Sequence, residues 1–202
     1  MTLEDIDLDL IREKLASQLS EKRFRHSIGV ADTAAEMARR YGADEEKIYL
    51  AGLLHDCGKS YKGDAAREFV KKIGYEPDEI EWIQPGLLHG VIGEHIARHE
   101  YGIEDPEILS AVRWHITGRA GMSLIEKIIY IADYIEPGRS FTGVEAMREE
   151  AFRDLDRCIV LCADSTIRYV IENGYLLHPR TVETRNHSLR ILKAANIPEK
   201  VW

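Results

Sequence analysis

Apolar residues recur every three to four positions along most of this chain, and almost nowhere do they alternate with polar ones. That spacing builds helices and leaves no pattern for a sheet. Ile6, Leu10, Ile11, Leu15 and Leu19 fit a first amphipathic helix. Phe24, Ile28, Ala31, Ala35 and Ala38 share one face of a second over Arg23–Tyr41, with Gly42 as its stop. Asp44 is placed to cap a helix running into His55. Asp105 and Pro106 supply a cap and a proline at the first helical position. Ser123 and Glu126 make a capping box ahead of the run IIYIA. Asp154–Asn173, closed by Gly174, reads as a long helix, and Arg180–Asn196 as the last one. The expected fold is all-α, an irregular helical bundle. It forms one domain over 1–202, with a core at about 21–153 and a C-terminal helical extension at about 154–202.

Apolar residues make up 45% of the chain and charged ones 31%, which rules out wholesale disorder. No stretch reaches the roughly 18 uninterrupted apolar residues of a membrane span. The start, MTLEDIDLDL, is acidic and has no apolar leader core, so a cytoplasmic protein is expected. The net charge is −8 with no basic run, which argues against a nucleic-acid partner. A phosphate-rich small molecule is still admissible if metals and a few cations gather in one cleft. Cys57, Cys158 and Cys162 fit neither a disulfide framework nor a CxxC site and are read as reduced core thiols.

Five segments then place a titratable group at the end or edge of an apolar run: RFRHSIGV, AGLLHDCGK, GLLHG, VRWHITG and IIYIADYIEPGR. Their reactive residues are His26, His55 with Asp56, His89, His115 and Asp133. Each is costly to bury alone, and a shared metal compensates several at once. Imidazole and carboxylate together suit iron, manganese, cobalt or zinc. Neighbours on a helix point about 100° apart, so His55 and Asp56 can share an ion only where the helix ends. Gly58 is consistent with such an end.

With these residues in view, the chain resembles the HD-domain phosphohydrolases, and most closely their symmetrical bis(5′-nucleosyl)-tetraphosphatase type. The resemblance runs through RFRHSIGVADTAAEMARRYG, YLAGLLHDCGK, ILSAVRWHITGRAGMSLIEKIIYIADYIEPGRSFTGV and HPRTVETRN, nearly the whole chain. It implies a hydrolase that cuts diadenosine tetraphosphate into two ADP by attack of a hydroxide generated on the metal, with iron the expected metal and one or two ions. By the resemblance His26, His55, Asp56 and Asp133 hold the first ion. His89 and His115, with Asp56 bridging, hold a second or bind phosphate oxygens. The sequence departs from the family pattern at Gly58 (a small Ala expected), Ile116 (Thr usual) and His178 (Tyr common before the proline).

Lys59 and Arg139 follow the two acidic positions and are read as stabilising charge on the phosphate chain. Arg25, Thr117 and Gly118 are lesser candidates for the same work. Ile116, Thr117, His178, Arg180 and Thr181 complete the expected substrate contacts, the last three in a loop between two helices. His95 and His99 are read as an exposed pair, His187 as solvated, and Trp82, Trp114 and Tyr134 as core aromatics. The expected partner is a small dinucleoside polyphosphate bound by a monomer or a homodimer. Two alternatives keep the fold: the same site acting on a nucleoside monophosphate, cyclic dinucleotide or alarmone, or a nucleotide-sensing module without catalysis.

Overall fold

The computed structural model describes residues 7–196; Ile6, assigned above to the first helix, and the C-terminal residues from 197 onward lie outside it. Eleven α-helices follow one another among the described residues: α1 (Leu8–Gln18), α2 (Glu21–Tyr41), α3 (Glu45–Leu54), α4 (Asp64–Lys72), α5 (Glu79–Ile83), α6 (His89–Glu100), α7 (Pro106–Trp114), α8 (Leu124–Ile135), α9 (Val144–Ala151), α10 (Leu155–Glu172) and α11 (Pro179–Asn196). A short 3₁₀ turn, Pro85–Leu88, leads into α6.

The helix starts follow from local chemistry. Asp44 accepts the Lys47 N–H at 3.0 Å, and Asp154 accepts that of Arg157 at 3.0 Å. Asp105 caps α7 ahead of Pro106, and the Ser123–Glu126 capping box at α8 is closed in both directions. Each such cap is worth about 1 kcal/mol. Gly42 ends α2 with φ +67°, a left-handed conformation open to glycine at no steric cost. Ser20 caps α2 two residues earlier than the apolar pattern alone suggests.

Two helices make the centre. Six of the ten residues of α3 are buried (Ile48, Leu50, Ala51, Gly52, Leu53 and Leu54), the pattern of a helix with no solvent side at its C-terminal end. In α8 only Leu124, Lys127, Asp133 and Tyr134 escape full burial. This helix packs on α2, α3, α7, α9 and α10. Leu155, Cys158, Ile159, Cys162 and Ala163 bury one face of α10, and α11 packs back along it. All three cysteines are buried free thiols.

Several expectations are corrected. Pro179 begins α11, so Arg180 and Thr181 sit in a helical first turn and not in a loop. Trp82 lies at the surface under Arg67 and Lys71, and Trp114 is half-buried between Arg113 and Arg180. Tyr134 is half-buried and hydrogen-bonded to Thr166, so none of the three is a fully buried core aromatic. His187 is half-buried and not fully solvated, and of the pair His95 and His99 only His99 is exposed. No described helix is long and apolar enough to cross a membrane.

Candidate metal centre

The end of α3 fixes the site. Its last turn stops at Leu54; His55 caps it with helical backbone angles, and Asp56 follows in the turn beyond. His26 comes from the second turn of α2, Asp133 from the last turn of α8, His89 from the first residue of α6 and His115 from just past α7. Tight helix approach brings them together. A Cβ on Gly58 would fall 2.5 Å from the His89 carbonyl oxygen and 2.6 Å from the Gly93 nitrogen. This backbone therefore has no room for the alanine of the family pattern. A Cβ on Gly90 would likewise run into the Arg113 carbonyl oxygen, where α6 crosses α7.

The six predicted residues lie together, with four imidazoles against the buried carboxylate of Asp56. Its Oδ2 lies 3.5 Å from His55 Nε2 and 3.8 Å from His26 Nε2. Its Oδ1 lies 3.2 Å from His89 Nε2 and 3.6 Å from His115 Nε2. Asp133 Oδ1 stands 3.0 Å from His26 Nε2 and 3.9 Å from His55 Nε2. Two nests result, sharing one carboxylate. His26 and His55 face its Oδ2, with Asp133 against both of them, and His89 and His115 face its Oδ1; the two adjoin, since ligand atoms of His55, His115 and Asp133 also lie within 4.8 Å of one another.

The other ring nitrogens show which lone pairs point inward. His55 Nδ1 is 2.6 Å from the Gly52 carbonyl, His89 Nδ1 2.5 Å from Gly86, and His115 Nδ1 2.7 Å from Val112. Carbonyl oxygens only accept, so each of these Nδ1 atoms carries the proton and leaves Nε2 as a bare lone pair. Burial, aided by the charge of Lys59, pushes the His89 pKa down to about 4, so its ring is neutral at pH 7. Yet His89 Nε2 and His115 Nε2 lie 3.0 Å apart. Lys59 Nζ reaches one of them, 3.0 Å from His89 Nε2, but the facing lone pair of His115 and a buried Asp56 oxygen without a hydrogen-bond partner call for a further cation. The residues present fit a divalent metal.

His26 is oriented differently. Its Nδ1 is 3.0 Å from Glu136 Oε1, a buried carboxylate that also accepts the Gly138 N–H at 2.5 Å. Glu136 was not anticipated from the sequence; it caps the C-terminus of α8, three residues after Asp133. Arg23 was also missed, and its guanidinium meets Asp56 Oδ2 at 2.6 Å.

The remaining predicted residues divide into near and far. Arg139 is ion-paired to Asp133 Oδ1 and bonds its main-chain oxygen at 2.6 Å. Burial alone would raise the Asp133 pKa; His26, His55 and Arg139 hold it far below the usual carboxylate range. Lys59 Nζ lies 3.0 Å from His89 Nε2 and 3.8 Å from Asp56 Oδ1, and burial lowers its pKa against the pull of both acids. Thr117 and Gly118 lie against α11, where Thr184 Oγ1 bonds the Thr117 carbonyl at 3.0 Å. Ile116 packs beside Gly90. Arg25 is paired with Glu21 on the helix surface. Thr181 is buried, and His178 and Arg180 bind Asp78 and Glu81 of α5: His178 Nε2 is 2.8 Å from Asp78 and Arg180 2.9 Å from Glu81.

Known proteins share this arrangement of sequence. The HD domain model matches residues 23–138, which contain every member of both nests. The symmetrical bis(5′-nucleosyl)-tetraphosphatase of Halalkalibacterium halodurans is 41% identical over 85% of this chain and 91% of its own. That of Staphylococcus aureus is 35% identical over 90% of this chain and 94% of its own. The crystal structure of a predicted HD superfamily hydrolase involved in NAD metabolism from Clostridium acetobutylicum superposes with a TM-score of 0.89 at 44% identity, covering 92% of this chain and 98% of that one. By its matched segment and by these near full-length relatives, the chain belongs to the HD-domain family of hydrolases.

Proposed function

We propose that this protein hydrolyses diadenosine tetraphosphate symmetrically to two ADP, as the names of its relatives in Halalkalibacterium and Staphylococcus describe for those proteins. The observation that carries the chemistry is Asp56, one buried carboxylate whose two oxygens face two adjoining pairs of imidazole nitrogens. His26, His55, Asp56 and Asp133 would hold a first divalent ion, and His89 and His115, with the other Asp56 oxygen, a second ion or a phosphate. Iron is our assignment for the metal on the strength of the family resemblance; the donor set, borderline nitrogen with hard oxygen, suits manganese, cobalt and zinc as well. Bound there, a divalent ion supplies an acidified water and neutralises charge on phosphate oxygens.

The side chains do the rest. The Nδ1 bonds of the histidines lock their rings, so the donor geometry is set before substrate arrives. Arg23, Lys59 and Arg139 present cations at the mouth of the nests, where charge accumulates on the phosphate chain as it is cut. Arg23 and Arg139 each rest on a carboxylate, which keeps them extended toward the site. Thr117 and Arg180 stand behind His115 and Trp114, on the side where α11 closes the molecule.

Product identity is the test. Purified protein given diadenosine tetraphosphate and a divalent metal should yield ADP alone, and hydrolysis in oxygen-18 water should label one of each two ADP molecules at its terminal phosphate. ATP plus AMP, or turnover only of a monophosphate or cyclic dinucleotide, would discard the assignment and leave the metal centre standing.

A further inference from the structure

On the side of His26 the first nest opens into a cavity of about 1000 Å³. That matches the upper end of small-molecule sites and exceeds what one phosphate needs. One wall is the start of α2, where the Glu136 carboxylate lies over Gly29, and the other is the stretch Pro137–Phe141. Its charge is uneven. Lys22 and Arg25 stand at the lip, one turn or less before His26. Lys22 has no ion-pair partner among the described residues, and Arg25 has only an exposed i,i+4 pair with Glu21, of little worth in water. Arg23 and Arg139, between the lip and the nests, are held by Asp56 and Asp133. In a chain of net charge −8, four cations line this opening against two carboxylates, Asp32 and Glu136, a local excess of positive charge that favours an anion. Phe141, 37% exposed, is the aromatic of this wall.

We propose that this cavity seats the outgoing half of a dinucleoside polyphosphate, with its outer phosphate along Lys22 and Arg25 and the distal base stacked on Phe141. The proposal rests on the tetraphosphatase reading and adds where each half of the substrate lies. A symmetric cut needs the two inner phosphates at the nests, which leaves a nucleoside diphosphate on either side. A phosphate chain that passes from the Oδ1 side of Asp56 to its Oδ2 side emerges at His26 and Arg139, which line this cavity. A water oxygen bonds to one inner phosphorus and the bond from that phosphorus to the central bridging oxygen breaks. The bridging oxygen then departs as the terminal oxygen of the second nucleoside diphosphate, and the protons of water pass to solvent. Two loosely held cations suit that fragment, since it must bind, gain charge and leave.

The test compares diadenosine tetraphosphate with adenosine 5′-tetraphosphate, which has the same phosphate chain and one nucleoside. Phe141→Ala should raise the KM for the two-nucleoside substrate roughly tenfold relative to that for the one-nucleoside substrate, the scale of one lost base stack. Phe141→Tyr should restore the ratio. Lys22→Ala with Arg25→Ala should raise both KM values, since both substrates keep the phosphates, with kcat changed far less. Metal content and helical circular dichroism identify any variant that has lost its fold. An unchanged KM ratio in Phe141→Ala, or unchanged KM values in the double variant, overturns the proposal while the wild type still makes ADP. A wild type that does not cut diadenosine tetraphosphate overturns the reading on which the proposal rests.

Discussion

On the Oδ2 side of Asp56 stand two imidazoles, the carboxylates of Asp133 and Glu136 and the guanidiniums of Arg23 and Arg139; on its Oδ1 side stand two imidazoles and the ammonium of Lys59. The histidines of the second group all lean on backbone carbonyls, as does His55. His26 alone leans on a carboxylate, Glu136. A full negative charge behind an imidazole makes its Nε2 a better donor to a metal, and Asp133 adds another charge in front. Around the first nest Asp56, Asp133 and Glu136 outnumber Arg23 and Arg139 by three carboxylates to two guanidiniums, while around the second Lys59 faces the shared Asp56 alone. The difference suits two duties on one scaffold: the excess of acid favours a retained cation, and the balanced side favours an exchangeable ion or a phosphate oxygen.

Removing the shared element should have the largest effect. Asp56→Ala takes an oxygen from both nests and leaves Arg23 and four imidazoles without their common acid. We expect activity to fall by about a thousandfold or more, with metal per chain dropping toward zero and helical circular dichroism retained. Retention of a full complement of metal would show that the two nests are independent. Glu136→Gln comes next, because it keeps the shape and removes the charge. Metal affinity of the first nest should weaken roughly tenfold to a hundredfold, read by competition with a chelator. Substitution of His89 by Asn should leave that first affinity nearly untouched. Equal losses in the two variants would erase the distinction between the nests.

How much of this could be read from the sequence depends on how each residue is sheathed. His26, His55, Asp56, His89, His115 and Asp133 each interrupt an apolar run, so burial and titratability are visible together. Arg23 sits in Lys22-Arg23-Phe24-Arg25, a charged stretch that looks like an ordinary solvated helix start. Its tie to Asp56 crosses 33 residues and leaves no local mark. Glu136 stands before Pro137 and Gly138, where an exposed helix end is the natural reading. Only packing against Gly29 shows that it is enclosed: a Cβ there would come within 2.8 Å of its Oε2. The long helices were legible from caps and periodicity. The short α4 and α5, nine and five residues, were not, since so few turns carry little pattern. Trp82 shows the converse failure: an aromatic beside an apolar run that the fold leaves outside.

Arg139 sharpens the comparison from the side of the first nest. It is ion-paired to Asp133 and lines the cavity that opens there, so it touches a candidate ligand and faces the substrate path. Arg139→Ala should lower kcat/KM by about tenfold, a typical cost for one charge-assisted contact to a phosphate, while metal content stays within error. A loss of metal instead would make the arginine a support for Asp133. No change in kcat/KM would remove it from the reaction altogether.

The smallest effect tests the second nest through the backbone beneath it. Gly58 follows the His55–Asp56 turn, and a Cβ added there would lie 2.5 Å from the His89 carbonyl oxygen and 2.6 Å from the Gly93 nitrogen. Both obstacles are main chain, so no side-chain rotation relieves the clash, and α6 must shift as a body. Overpacking of this kind costs about 1–3 kcal/mol, which for a chain of this size is a fall in Tm of about 2–12 °C. The shift also carries His89, because α6 begins at that residue. His26 and Asp133, on α2 and α8, have no part in this contact. Gly58→Ala should therefore lower thermal stability and loosen the second nest while the metal of the first is retained. Titration with a divalent ion would show a second binding step weakened and a first step unmoved. Weakening of the first step to the same degree would mean that the movement reaches Asp56 itself, and that the two nests answer to packing as one unit.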